Sequence, residues 1–135
     1  MPGLLLNIDV PDIDAGERFY REALGLSVGR RLDAGFVELV GADAPIYLLQ
    51  ADAGTPVGPA GGGERRYERH WTPVHPDFVV DDLDATVQLA VAAGAVVERP
   101  ARYAPYGRIA TLADPFGHGF CLIQFNAEGY DAYAS

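Results

Sequence analysis

The feature that most constrains the fold is an internal repeat: Val10-Pro11-Asp12-Ile13-Asp14-Ala15 returns as Val80-Asp81-Asp82-Leu83-Asp84-Ala85, and Leu48-Leu49-Gln50 returns as Leu122-Ile123-Gln124. Each copy must then be one supersecondary unit that relies on the other to bury its apolar face. In the first copy, Leu4–Val10 alternates apolar and polar residues, which predicts a half-buried strand with Leu4, Leu6, Ile8 and Val10 on one face and Leu5, Asn7 and Asp9 on the other. Pro11–Asp14 turns the chain, Asp14 offers an N-cap, and Ala15–Ala23 reads as a helix closed by Leu24-Gly25-Leu26. Val28, Phe36–Val40 and Pro45–Leu49 then supply short strands between Asp/Gly turns. The second copy runs in the same order, with a strand over Pro73–Val80, a helix over Ala85–Ala93, and strands at Val96–Glu98, Arg108–Leu112 and Gly119–Phe125.

The expected fold is therefore α+β, with two tandem βαβββ modules forming a curved, cup-shaped mixed sheet and helices on its convex side. Residues 1–50 form the first module and residues 71–127 the second, with 128–135 as a C-terminal tail, all in one compact domain. The Gly-, Pro- and Ala-dense stretch at 51–70 between them has almost no apolar periodicity and reads as a flexible linker. Function should sit in the concave cup.

Composition narrows the partners. A chain of 135 residues with 49% hydrophobic and 21% charged residues fits one globular domain. Its longest apolar stretches, Leu4–Leu6 and Val91–Val97 broken by Gly94, fall far short of the ~20 residues of a spanning helix. Met1-Pro2-Gly3-Leu4 has no basic region leading into an apolar signal segment, so a cytoplasmic protein is the expectation. The single cysteine, Cys121, excludes an internal disulfide framework. Ten Lys+Arg against 19 Asp+Glu give a formal charge of −9, which disfavours nucleic acid and anionic membranes and makes a cation the better guess for a charged ligand.

The paired βαβββ repeats, Asp12-Ile13-Asp14-Ala15-Gly16-Glu17-Arg18-Phe19-Tyr20 with Leu24-Gly25-Leu26, Asp82-Leu83-Asp84-Ala85 with Ala93-Gly94-Ala95, and Asp114-Pro115-Phe116-Gly117-His118 together resemble the vicinal oxygen chelate superfamily. That superfamily includes glyoxalase I, extradiol dioxygenases, fosfomycin-resistance enzymes and bleomycin-binding proteins. The resemblance implies four inward ligand positions for a divalent metal, which fall here on Leu5, Tyr47, His75 and Cys121. Only His75 is a usual ligand, Cys121 can serve as a thiolate, and Leu5 and Tyr47 argue against a hard oxygen/nitrogen site. The resemblance also implies a homodimer.

Asn7, Asp9, His75 and Asp77 should all face the cup, with His75 and Asp77 two apart on one strand. His75 can act as a base near neutral pH with Asp77 orienting it, or simply be a polar lining residue. His118 reads as a turn residue. Tyr47, Tyr67, Trp71, Tyr103 and Tyr106 are candidates for stacking on a flat ligand at the cup mouth, with packing at a dimer seam or under the linker as the alternative. Arg65-Arg66 reads as a solvated basic spot.

Two functions follow. One is a bleomycin-resistance-like protein that binds a small aromatic or cationic molecule through Asn7, Asp9, Tyr47, Trp71, Tyr103, Tyr106 and Cys121, with no cofactor. The other is an isomerase, lyase or dioxygenase that uses His75 and Asp77 as catalytic groups, or a rearranged divalent-metal site of His75 with Asp77 or Cys121. A subunit whose cup is filled by its own side chains is a third outcome.

Overall fold

Each copy of the repeat folds into one helix packed on an open four-stranded mixed sheet. The computed structural model describes residues 1–134, divided between a unit spanning Met1–Glu68 and a second beginning at Arg69. The first unit contains β1 (Leu6–Val10), α1 (Ile13–Leu24), β2 (Ser27–Asp33), β3 (Phe36–Val40) and β4 (Ile46–Gln50). The second contains β5 (Asp77–Val79), α2 (Leu83–Ala92), β6 (Val96–Ala104), β7 (Gly107–Ala113), β8 (Gly119–Phe125) and a closing 3-10 turn, Gly129–Tyr133. Sheet order is β1-β4-β3-β2 in one unit and β5-β8-β7-β6 in the other. In each, the first strand runs parallel to the last, and the remaining pairs are antiparallel. The fold is the two-module α+β arrangement read from the repeat.

The repeated residues have local structural causes. Asp12 and Asp82, both in extended backbone, are the N-caps: Asp12 accepts from the amides of Asp14 and Ala15, and Asp82 from that of Ala85. The sequence had pointed to Asp14 as the first cap. It sits instead in the first turn, where a carboxylate suits the positive end of the helix dipole. The repeated glutamine closes each unit, since the Gln50 side chain accepts from the Ile13 amide at 2.9 Å and Gln124 from the Leu83 amide at 2.8 Å. Each unit thus ties the last residues of its sheet to the start of its helix.

The buried core of the first unit draws on Val10, Phe19, Ala23, Val37, Leu39 and Leu48. A Cβ on Gly16 would lie 3.0 Å from the Val10 methyls, so α1 approaches β1 through a residue with no side chain. In the second unit Leu83, Ala90, Ala110, Leu112 and Leu122 are fully buried. On β7 and β8 the face carrying Arg108 and Gln124 belongs to the helix, because these two bond to Asp84 and to the Leu83 amide of α2.

Several boundaries differ from the sequence reading. β1 begins at Leu6, leaving Leu4 and Leu5 exposed. β5 has three residues where eight were expected, because Pro73 and Pro76 lack the amides a ladder needs. β6 runs on to Ala104, through Pro100. It is an edge strand, and its register shifts fall between Val97 and Arg102, where a missing amide is tolerated. The Gly/Pro-rich segment is folded onto the first unit: Pro56 bridges Glu64, the Gly54 amide donates to the Arg65 carbonyl and the Arg65 amide to the Thr55 carbonyl, and the Tyr67 hydroxyl donates to the Ala51 carbonyl at 2.6 Å. Arg65 is not a solvated basic spot, since it pairs with Asp9 at 2.8 Å.

Candidate functional site

The second sheet carries a row of polar side chains on the face away from α2. Asp77 on β5 lies opposite Cys121 on β8, which lies opposite Thr111 on β7. The Thr111 hydroxyl is 3.7 Å from the Cys121 sulfur and accepts from the Arg102 guanidinium of β6 at 3.3 Å. His75 precedes β5 by two residues and places its Nε2 3.3 Å from an Asp77 carboxylate oxygen. One ligand-capable atom from each of His75, Asp77 and Cys121 falls within 4.8 Å of the others. Burial pushes the Cys121 thiol pKa up, so this sulfur is protonated at neutral pH. As a free nucleophile it is inert.

Trp71 stands beside His75, with ring centroids 5.4 Å apart and planes nearly perpendicular. Three contacts fix its indole. Nε1 donates to Glu98 at 3.0 Å, the Arg69 guanidinium lies 4.6 Å from the ring, and the ring lies against Gly119, where a Cβ would come within 2.7 Å. Arg69 in turn pairs with Glu98. Gly119 and Cys121 are two apart on β8, so Trp71 covers the face that carries the polar row. The indole is held in place and is still 44% exposed.

The corresponding row in the first unit is closed on itself. Asn7 lies opposite Tyr47, and Tyr47 opposite Glu38. Glu38 receives Arg30 as a two-pronged partner, Nε to Oε1 at 3.1 Å and a terminal nitrogen to Oε2 at 2.9 Å, and the Tyr47 hydroxyl donates to Oε2 at 2.7 Å. The Arg30 guanidinium, and after it the Tyr47 hydroxyl, move the Glu38 pKa from the ordinary 4.5 down to about 2.

A carboxylate whose pKa falls on folding stabilises the fold fully above its unfolded value and loses that contribution as pH drops through the folded one. The window here runs from about pH 4.5 down to about 2. Glu38→Gln is therefore expected to flatten the acid limb of the thermal midpoint over that window. Parallel limbs for the two proteins in a circular-dichroism pH series would show that Glu38 titrates as an ordinary glutamate.

Of the site residues expected from sequence, the structure brings together His75, Asp77, Cys121 and Trp71. Asn7, Asp9 and Tyr47 lie in the first unit, where Asp9 is bound to Arg65 and Tyr47 to Glu38 and Arg30. Tyr103 is 86% exposed, with Arg108 5.4 Å from its ring. Tyr106 packs with Phe125, Tyr130 and Tyr133 at centroid distances of 6.1, 5.0 and 5.9 Å. That cluster anchors the C-terminal turn, so Tyr106 has a packing role in the second unit. Sequence reasoning missed Glu98, Arg102 and Thr111. The signal was present in the strand pairing, since Thr111 stands opposite Cys121 as Glu38 stands opposite Tyr47.

A family model described as a glyoxalase-like domain matches residues 6–123. The chain belongs to the glyoxalase-like family. It is 37% identical over 126 residues to the anthracycline biosynthesis protein DnrV of Streptomyces peucetius, covering 90% of this chain and 40% of that protein. The chain thus spans about two fifths of the curated relatives it matches over most of its length. Among solved structures it resembles a mutant of the fosfomycin resistance protein FosX from Listeria monocytogenes in complex with Mn(II) and 1S,2S-dihydroxypropylphosphonic acid. The TM-score is 0.70 at 18% identity, covering 95% of this chain and 94% of that one. It also resembles TnmS3, an antibiotic binding protein from Streptomyces sp. CB03234, with a TM-score of 0.63 at 21% identity over 93% and 97% of the two chains. No helix among the described residues is long and apolar enough to cross a membrane.

The four-ligand metal arrangement of the superfamily does not fit these residues. Leu5 has no donor and lies outside β1, and the Tyr47 hydroxyl is committed to Glu38 and Arg30. Among the described residues, what remains is the three-donor cluster of the second unit, mixed in nitrogen, oxygen and sulfur.

Proposed function

We propose that this chain is a small-molecule-binding member of the glyoxalase-like family, and that the polar face of its second sheet takes a flat aromatic ligand with Trp71 as the stacking wall. The observation that carries the reading is the exposed indole held by Glu98, Arg69 and Gly119 beside His75. A ring fixed before the ligand arrives loses little side-chain freedom on binding. The names of the relatives, an anthracycline biosynthesis protein and an antibiotic binding protein, support a polycyclic natural product as ligand.

Trp71 is the chain's single tryptophan, so its fluorescence reports on this face alone. Titration with an anthracycline is expected to quench it saturably. Trp71→Ala should weaken binding about tenfold by calorimetry, the equivalent of ~1.4 kcal/mol of lost stacking. Unquenched fluorescence with no heat of binding would sink the reading.

The His75–Asp77–Cys121 cluster favours a second reading, an enzyme of the same superfamily. A neutral His75 that turns its Nε2 proton toward Asp77 keeps Nδ1 as a proton acceptor. The same three side chains would hold a divalent cation, with Cys121 binding as thiolate after losing its proton. Under this reading, Zn(II) at about 100 times its dissociation constant raises stability by ~2.7 kcal/mol, visible as an upward thermal shift. His75→Ala should abolish that shift, and a shift that survives the substitution would remove the cluster as its source.

A further inference from the structure

All ten cationic side chains of the protein are arginines. Six of them pair with carboxylates: Arg21, Arg30, Arg31, Arg65, Arg69 and Arg108. Among the described residues, Arg18, Arg66 and Arg99 are exposed, and Arg102 alone is half-buried with no carboxylate partner. Its guanidinium makes only two long bonds, to the Ile109 carbonyl at 3.4 Å and the Thr111 hydroxyl at 3.3 Å. A planar fork with five N–H donors is thus left with most of its capacity unspent.

The first unit shows what such a fork accepts. There Arg30 grips the two oxygens of Glu38, a residue opposite Tyr47, while a hydroxyl donates to the same carboxylate. In the second unit the residue opposite Cys121 is Thr111, too short and uncharged to fill that place. Arg30, on the outer strand of the first sheet, has an internal carboxylate partner, whereas Arg102, on the outer strand of the second, has a hydroxyl and a carbonyl in its place.

We propose that Arg102 is the anchor for a carboxylate carried by the ligand, and that the ligand of the second sheet is an aromatic carboxylate. This rests on the small-molecule reading above and deepens it. The expectation of a cationic ligand came from the net charge of −9. Of the carboxylates on this face, Glu98 is taken by Arg69 and the Trp71 indole, and Asp77 stands three strands away from Arg102, about 14 Å at the usual strand spacing. At the fork itself the local charge is positive.

Three ligands of one shape test it: 2-naphthoate, 2-naphthamide and 2-naphthamidine, titrated by calorimetry into the full chain. The carboxylate is expected to bind at least tenfold more tightly than the amide and amidine, with an affinity that falls as salt rises. Arg102→Gln should erase the preference and leave a residual affinity equal to that of the amide. Should Arg102→Gln unfold, Arg102→Lys keeps the charge without the fork, and a preference cut severalfold but still present supports the assignment. Equal binding of all three ligands, or a preference untouched by both substitutions, overturns the carboxylate anchor while leaving aromatic binding in place. Binding of none overturns both readings.

Discussion

Asp114→Ala is expected to lower the stability of the protein by about 2–4 kcal/mol, roughly 10 °C in thermal midpoint. Asp114 is buried in the loop between β7 and β8, and its Oδ1 accepts from the amide of Phe116 at 2.8 Å and that of His118 at 3.0 Å. Its own amide donates to the His118 carbonyl at 2.8 Å, closing the turn. Alanine leaves two inward amides without an acceptor, and an unsatisfied buried donor costs about 1–3 kcal/mol. Asp114→Asn keeps an oxygen at the same place and should recover most of the loss. A fall of under about 3 °C for the alanine variant in a circular-dichroism melt would show that the loop holds its shape without this carboxylate. The Asp-Pro-Phe-Gly-His motif would then need another explanation.

Gly107→Ala should be at least as damaging. Gly107 ends the turn between β6 and β7 at a φ of +143°, where an L side chain is strained. An added Cβ would lie 2.1 Å from the Gln124 carbonyl oxygen and 2.9 Å from the Asn126 amide nitrogen. Both are backbone atoms of β8 and its exit, so no rotamer change relieves the clash. Strain of about 1–3 kcal/mol joins a similar overpacking cost, and a loss of about 3 kcal/mol or more is expected. Gly54→Ala serves as the control: its φ of +86° is also positive, and nothing lies within 4 Å of the added carbon. Chemical denaturation with both variants separates the steric part, and equal losses would assign the whole effect at Gly107 to backbone strain.

The sequence and the structure agree most closely where a residue acts through its neighbours along the chain. The strand and helix order followed from apolar spacing and from the paired Asp turns, and β3 and β8 have the bounds the alternation indicated. Ends were misplaced where a non-local contact or a missing amide decides them. Pro76 shortened β5, and the edge position of β6 let it run past Pro100. The nearness of His75 and Asp77 could be read from strand periodicity. Their approach to Cys121, and the contact of Trp71 with Gly119, depend on pairings between segments far apart in the chain. Arg102 went unnoticed because an arginine near a loop is commonplace. Only the absence of a carboxylate beside it sets it apart, and an absence in space has no sequence signature.

The two glutamine contacts bear on how the units assemble. Gln50 reaches across 37 residues to the Ile13 amide and Gln124 across 41 to that of Leu83. A nascent helix can gain its aspartate cap by itself, yet this last donor stays unpaired until the final strand of the same unit has docked. The start of each helix thus gains its glutamine contact only when the end of its own sheet is in place, a long-range contact in each half that local helix formation cannot supply.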